Sequence, residues 1–414
     1  MVASRKKQWA LIVICCMAYG FAYAGRYGYN ANIAPIMAYY GVTRAEAGLV
    51  STCFFFAYGA TQLVHGILCR FYPKKYVVPA ALFLSAGFNL AVYFLPPFAA
   101  IKYLCLLNGI CQSVLWPSLV LTLGETLEPG MMKQAVFVIS LATMFGTLIS
   151  YGGSALFNLF SFFRGSFLLG AGLTVLIGLI WFCSYDVLTA DRYVPEQTET
   201  DRQTGARSRA DGALIGLLAV SILFAAVCNF VKDGLSTWTP VILKEQFSLG
   251  DSASIVLTLI LPVFGLFGSV LALAVNRRIR DYCQLSGVFY VALSLCVGGL
   301  LLTFRGTAGV VPTLVLLGVI SCLAYAINNV VTSMMPLQMR GRINSGFLAG
   351  LMNSATYIGS TASAYGLGRV ADGAGWNAVI EVLLCASILS AVIAGFASLL
   401  RTLKRRRNGT TNVR

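Results

Sequence analysis

Charge is scarce in this chain: 11% of its 414 residues are Asp, Glu, Lys or Arg, whereas 58% are apolar. With a mean hydropathy of +0.78, an ordinary soluble domain is excluded, because such a surface needs a bilayer as its main solvent. Acids are scarcer than bases, 15 against 30, and there is a single histidine, His65. None of the twelve cysteines shows C-x-x-C spacing, so no zinc or redox centre of that kind is expected. They read as small buried apolar residues, and no metal or organic cofactor is implied.

What is abundant is long apolar runs. Windows of about 20 residues, the length that crosses a bilayer as a helix, fall near 8–39, 46–68, 76–95, 99–122, 133–157 and 165–185. Six more follow near 213–243, 253–275, 283–303, 309–335, 342–366 and 376–400. Such continuous runs are too long for barrel strands, so the fold class is an all-α membrane protein of twelve transmembrane helices. Ala22-Tyr23-Ala24 resembles a signal-peptide cleavage site, but eleven further spans favour an uncleaved first helix. The one long polar interruption divides the chain into an N-terminal six-helix half (1–185), a linker (186–212), a C-terminal six-helix half (213–400) and a basic tail (401–414).

The positive charge is distributed by side, not by patch. Loops on the side of the N-terminus hold twenty-two Lys and Arg, the opposite loops hold six, and two remain inside spans. By the positive-inside rule both termini lie in the cytoplasm and the inner membrane is the expected location. The Lys404–Arg407 run faces anionic lipid, and no nucleic-acid partner is implied. The Asn408-Gly409-Thr410 sequon then lies on the unglycosylated side.

The two residual cations are Arg26 and Lys232. An arginine at mid-membrane depth costs at least about 2.5–3.5 kcal/mol on insertion scales, which makes a functional role the default reading. Tyr19, Tyr23, Arg26 and Asn30 share one helical face of the first span, and Asn229, Lys232, Ser236 and Thr239 share one in the seventh. Arg26 and Lys232 are 206 positions apart, and the prolines after them, Pro35 and Pro240, are 205 apart. Six helices per half return the chain to its starting side, so the halves form a parallel repeat about an axis along the membrane normal. The two cations are therefore expected at similar depth across that axis. Asp233 stands about 100° around the helix from Lys232 and is expected to lower the local charge without a direct pair. Glu381 is the other acid within a span.

Uncharged polar stripes mark other spans: Tyr58, Gln62 and His65; Asn108, Gln112 and Trp116; Thr143 and Thr147; Tyr325, Asn328, Asn329 and Thr332; Asn353, Tyr357 and Ser360. Interhelical hydrogen bonds use the same residue types, so each stripe alone serves packing as readily as binding. His65, close to Arg70 at a span end, reads as a surface or packing residue.

Several strings carry a family resemblance. They are Arg26 with Pro35; Ala57-Tyr58-Gly59 with Gly66; Asn108, Gly109, Gln112, Ser113, Trp116 and Pro117; Lys232 through Trp238 with Pro240, Leu243, Lys244 and Glu245; and Gly368, Asp372, Gly375 and Trp376. In these the chain resembles the major facilitator superfamily and, within it, the organophosphate:phosphate antiporters that include glycerol-3-phosphate and hexose-phosphate transporters. The resemblance implies a non-enzymatic carrier whose first- and seventh-helix cations bind a phosphoryl group while the halves rock. The chain departs from the pattern where Lys232 replaces an arginine, Gln62 a lysine, Thr143 a histidine and Cys69 an aspartate.

The expected substrate-binding residues are thus Arg26 and Lys232 for the anion, with Tyr23, Gln62, Asn108, Gln112, Thr143 and Asn329 around its organic part. The expected activity is exchange of a small organic anion for inorganic phosphate by a monomer in the bilayer. Two alternatives stand beside it: a proton-coupled carboxylate symporter using Asp233 or Glu381, and a transporter-like sensor of a sugar phosphate. Drug efflux fits poorly, because two cations repel the usual cationic drugs.

Overall fold

The computed structural model describes residues 4–190, 212–306, 309–335 and 345–410, and among them there are helices and no strand. In the first half α1 is Arg5–Ala31, continued by the short helix Ile33–Tyr40, and α2 is Arg44–Leu68. Then come α3 (Lys74–Tyr93), α4 (Phe98–Gln112, continued by Leu115–Thr126), α5 (Pro129–Leu159) and α6 (Gly165–Thr189). The second half holds α7 (Gly212–Phe247), α8 (Asp251–Thr258, continued by Ile260–Asn276), α9 (Tyr282–Arg305) and α10 (Val310–Asn329, ending in the π-helical turn Val330–Met334). The final stretch, Ser345–Thr410, breaks at Gly375, whose φ of 77° is left-handed, and so divides into α11 (345–374) and α12 (376–410). Among the described residues eleven stretches are long and apolar enough to cross a membrane, and the last of them holds two spans, which gives the expected twelve.

Helix α6 runs on to Thr189, and the stretch 191–211 of the expected linker lies outside the described residues. Three spans that read as single runs are interrupted, and each interruption has the same cause. The proline ring clashes with the carbonyl four residues earlier. Pro35, Pro117 and Pro262 accordingly put breaks at Asn32, Ser113–Val114 and Leu259.

The repeat is visible in the packing. α1 packs on α5 as α7 packs on α11; α2 on α4 as α8 on α10; α3 on α6 as α9 on α12. Adding six to each number converts one half into the other. A side chain at Gly146 would run into the carbonyl oxygen of Gly20, and one at Gly359 into that of Ala226. Gly20 and Ala226 are 206 positions apart, the same offset that relates Arg26 to Lys232. The two cations therefore occupy equivalent positions of the repeat.

The halves meet through α2 with α11, α5 with α8, and α1 with α7. Their mutual bonds concentrate toward the end that carries Arg44, opposite the N-terminus. There Arg44 donates to Glu245 (2.7 Å) and Asp372 (3.3 Å), and within the second half Trp376 Nε1 donates to the same Glu245 (2.7 Å). The Asp372 carboxylate also accepts the backbone N–H of Arg44 (3.1 Å) and Ala45 (2.8 Å), so a residue of α11 caps the first turn of α2. Thr43 and Glu46 add a capping box at the same helix start. Further inward, Thr52 donates to the Thr361 carbonyl oxygen (2.9 Å) and Tyr151 to that of Ser236 (2.7 Å), and at the start of α8 Ser252 donates to that of Ala155 (2.9 Å). The core around Trp238 and Leu243 is continuous here with Tyr29, Ile33 and Val50 of the first half. This end is closed.

Asp372→Asn weakens an ion pair and two charge-assisted caps at once. With Cys53 replaced by Ser, a Thr52→Cys probe is expected to react several-fold faster with a water-soluble maleimide in Asp372→Asn than in the unmodified gate. Equal rates would show that the network does not hold this end shut.

Candidate functional site

Arg26 lies on α1 and is buried, with 7% of its surface exposed. A long side chain on a helix points back toward the N-terminus, which brings its guanidinium over Tyr23, one turn earlier. The guanidinium carbon sits 4.2 Å from the ring centroids of both Tyr23 and Tyr58, and 5.0 Å from that of Phe54. Nε donates to Gln112 Oε1 (3.2 Å) and Nη1 to the Tyr357 hydroxyl of the other half (3.4 Å). Gln112 is itself fixed by donating to Ser85 Oγ (2.8 Å). Nη2 has no protein partner, and no carboxylate among the described residues pairs with Arg26. Aromatic faces and neutral acceptors thus hold a full positive charge without cancelling it.

Behind Arg26, within the first half, is a cavity of about 30 Å³ lined by Asn30, Ser51, Asn89 and Asn108 among others. It is large enough for one or two waters. Asn108 Oδ1 is buried there with no protein partner. Asn30 bridges the halves, donating to Thr237 Oγ1 (3.2 Å) and accepting from Ser51 Oγ (2.7 Å).

Lys232 corrects one expectation. Its Nζ lies 3.0 Å from Asp233 Oδ1, a direct ion pair between sequence neighbours. The 100° separation around α7 is spanned because the flexible four-carbon lysine stem can fold across it. Asp233 Oδ2 accepts from Ser360 of α11 and from Asn229 Nδ2 (3.3 Å), and Lys232 Nζ lies 5.1 Å from the Tyr325 ring centroid. Tyr23 is an electrostatic neighbour of both cations. Glu381 takes no part: it pairs with Arg305, and both side chains are well exposed.

Of the remaining expected residues, Tyr23 and Gln112 touch Arg26 directly, and Asn108 shares its cavity. Gln62 is buried with Oε1 lacking a protein partner. Thr143 lies on α5, where its carbonyl oxygen accepts from Thr147 (2.7 Å). Asn329 is engaged elsewhere, donating to Ser269 of α8 (2.9 Å), as the packing reading of such stripes allows. His65 bonds the Tyr72 hydroxyl (3.1 Å) at the far end of α2. Tyr58, Tyr357, Tyr325 and Ser360 stood in the polar stripes without being singled out, yet they contact the two cations or Asp233. The usable signal was the convergence of aromatic hydroxyls on helices two, ten and eleven, opposite a lone arginine.

The sequence profile of the Major Facilitator Superfamily matches residues 15–364. No curated protein matches the chain at a significant level. Among solved structures, the chain is similar to a bacterial homologue of the human lysosomal transporter Spinster in an inward-facing and occupied conformation, at 13% identity and a TM-score of 0.77 over 96% of this chain and 98% of that one. It is also similar to a D-xylose-proton symporter (14% identity, TM-score 0.74, 95% and 97% covered). A third is the nucleoside transporter NupG (15%, 0.70, 94% and 99%). At these identities the likeness concerns the fold.

Gln112→Leu removes the acceptor of Arg26 Nε and the donor to Ser85. A buried donor left without a partner costs about 1–3 kcal/mol. The purified variant is expected to melt several degrees lower in detergent, whereas Gln62→Leu, whose Oε1 has no partner to lose, is expected to change little.

Proposed function

Because the chain belongs to the Major Facilitator Superfamily, we propose that it carries a small organic anion across the membrane by alternating access, with Arg26 as the anchor. As a multi-pass membrane protein of this superfamily it is a transporter of small solutes; the anion and its exchange partner are the proposal. The observation that carries it is the buried guanidinium, paired with no carboxylate among the described residues and with Nη2 unengaged. Uncompensated charge in a low-dielectric centre is costly, and an anionic substrate offsets it.

The resemblance to organophosphate:phosphate antiporters favours an organophosphate or sugar phosphate exchanged for inorganic phosphate. On this reading the anion reaches Arg26 from one half and Lys232 from the other, and draws the halves together. Tyr23, Gln62, Asn108, Gln112 and Thr143 then surround its organic part. Asn329 is the residue with the least claim to contact, since Ser269 already occupies it. An unloaded carrier keeps the Arg26 charge uncompensated at the centre, which disfavours closure and enforces exchange.

A second reading draws on Asp233, a buried carboxylate at 4% exposure between the halves. In a proton-coupled carboxylate carrier this acid would take up the proton, and uptake would collapse with a protonophore.

Phosphate counterflow in proteoliposomes distinguishes the two. Arg26→Ala and Lys232→Ala are each expected to abolish it, and wild-type exchange is expected to survive a protonophore. Full exchange by both variants would remove the anion site from Arg26 and Lys232.

A further inference from the structure

We infer that Asp233 sets the charge of the anion that the carrier accepts, restricting it to singly charged substrates. This rests on the anion-carrier reading and narrows it to a substrate class: sulfonates, carboxylates, phosphodiesters, monoprotonated phosphate monoesters and dihydrogen phosphate.

The argument is a count of fixed charge at the centre of the molecule. Among the described residues, Arg26, Lys232 and Asp233 are the charged side chains there. The other acids of the described residues stand at helix ends, as Glu245 and Asp372 do beside Arg44, Glu125 beside Lys74, and Glu381 beside Arg305. Lys232 is matched by Asp233 at 3.0 Å with both side chains largely buried, at 14% and 5% exposure. The carboxylate cannot swing away freely, because its second oxygen is held by Ser360 across the helix boundary and by Asn229 one turn back. The groups that interact with Asp233 from neighbouring elements are phenols, Tyr27 of α1, Tyr151 of α5 and Tyr325 of α10, with Cys228 on its own helix. The centre therefore carries one net positive charge, and that charge sits on Arg26.

Charge left over in a low-dielectric site is penalised whichever sign it has. A singly charged anion brings the centre to neutrality. A doubly charged one either leaves a buried negative charge or must pull Lys232 from Asp233, which strands the carboxylate. Two arginines with no neighbouring acid would favour the opposite choice. The adjacent aspartate is thus a specificity-determining residue even where it never touches the substrate.

The test uses two probes with the same ring. Benzenesulfonate is singly charged at any working pH, and phenyl phosphate is doubly charged at about pH 8, since aryl and alkyl phosphates have a second pKa near 6. Binding to the purified full-length protein is measured by calorimetry for wild type, Asp233→Asn, Asp233→Glu and Arg26→Ala. Wild type is expected to prefer benzenesulfonate, with the preference kept in Asp233→Glu. In Asp233→Asn, phenyl phosphate should gain on the order of tenfold relative to benzenesulfonate. Wild-type preference for phenyl phosphate, with binding lost in Arg26→Ala, would overturn this inference and leave the anion carrier standing. An unchanged ratio in a folded Asp233→Asn would also overturn it. Binding of neither probe, or binding indifferent to Arg26→Ala, would sink the anion-carrier reading and this inference with it. The wild-type comparison decides the charge preference even if Asp233→Asn does not fold.

Discussion

A guanidinium in the middle of a membrane bundle, paired with no carboxylate among the described residues, is the constraint on which the centre of this protein turns. The bundle accommodates Arg26 by surrounding it with π faces and neutral acceptors. Tyr23 and Tyr58 offer the negative faces of their rings, Gln112 an amide oxygen and Tyr357 a hydroxyl. This cage spans both halves, since Tyr357 belongs to α11 and the rest to α1, α2 and α4. The same residue is thus a candidate ligand for substrate and a tie between the parts that must move. Whatever binds Arg26 competes with, or extends, a contact across the interface.

The repeat gives the other half a different solution at the equivalent position. Lys232 keeps its own acid beside it, anchored by Ser360 and Asn229. The symmetric backbone therefore carries an asymmetric charge pair: one cation open to a ligand, the other already matched. Packing explains why the backbone stays symmetric while the charges diverge. Gly146 on Gly20 and Gly359 on Ala226 fix the approach of α5 to α1 and of α11 to α7, and each cation, six residues further along its helix, leaves those contacts untouched.

The fold was legible in the sequence almost entirely, because the bilayer leaves few options for a chain with twelve long apolar runs. The offset between Arg26 and Lys232 also reappeared in the glycine contacts. What the runs concealed were the breaks at Asn32, Ser113–Val114 and Leu259. Proline acts on the carbonyl four residues back, at positions whose own side chains read as ordinary helix. The site was legible at its charges and less so at its partners. Arg26, Tyr23 and Gln112 follow from one helical stripe and one motif. Tyr357 and Ser360 come from a distant helix, and only tertiary packing tells which of several stripes turns toward the cations. The Lys232–Asp233 pair was missed because helix geometry fixes where Cα–Cβ bonds point, not where a four-carbon stem ends. Asn329 shows the converse, a polar residue on a promising stripe that serves its own half.

The cap on α2 has a kinetic meaning. Asp372 satisfies the first two amides of a helix in the opposite half, so separating the halves at that end uncovers a helix terminus as well as breaking an ion pair. Water must arrive at those amides as the carboxylate leaves, and the Thr43–Glu46 box, which remains with α2, keeps the turn wound while it does. The gate can therefore open without fraying the helix it sits on. That makes its motion a hinge between two intact bodies.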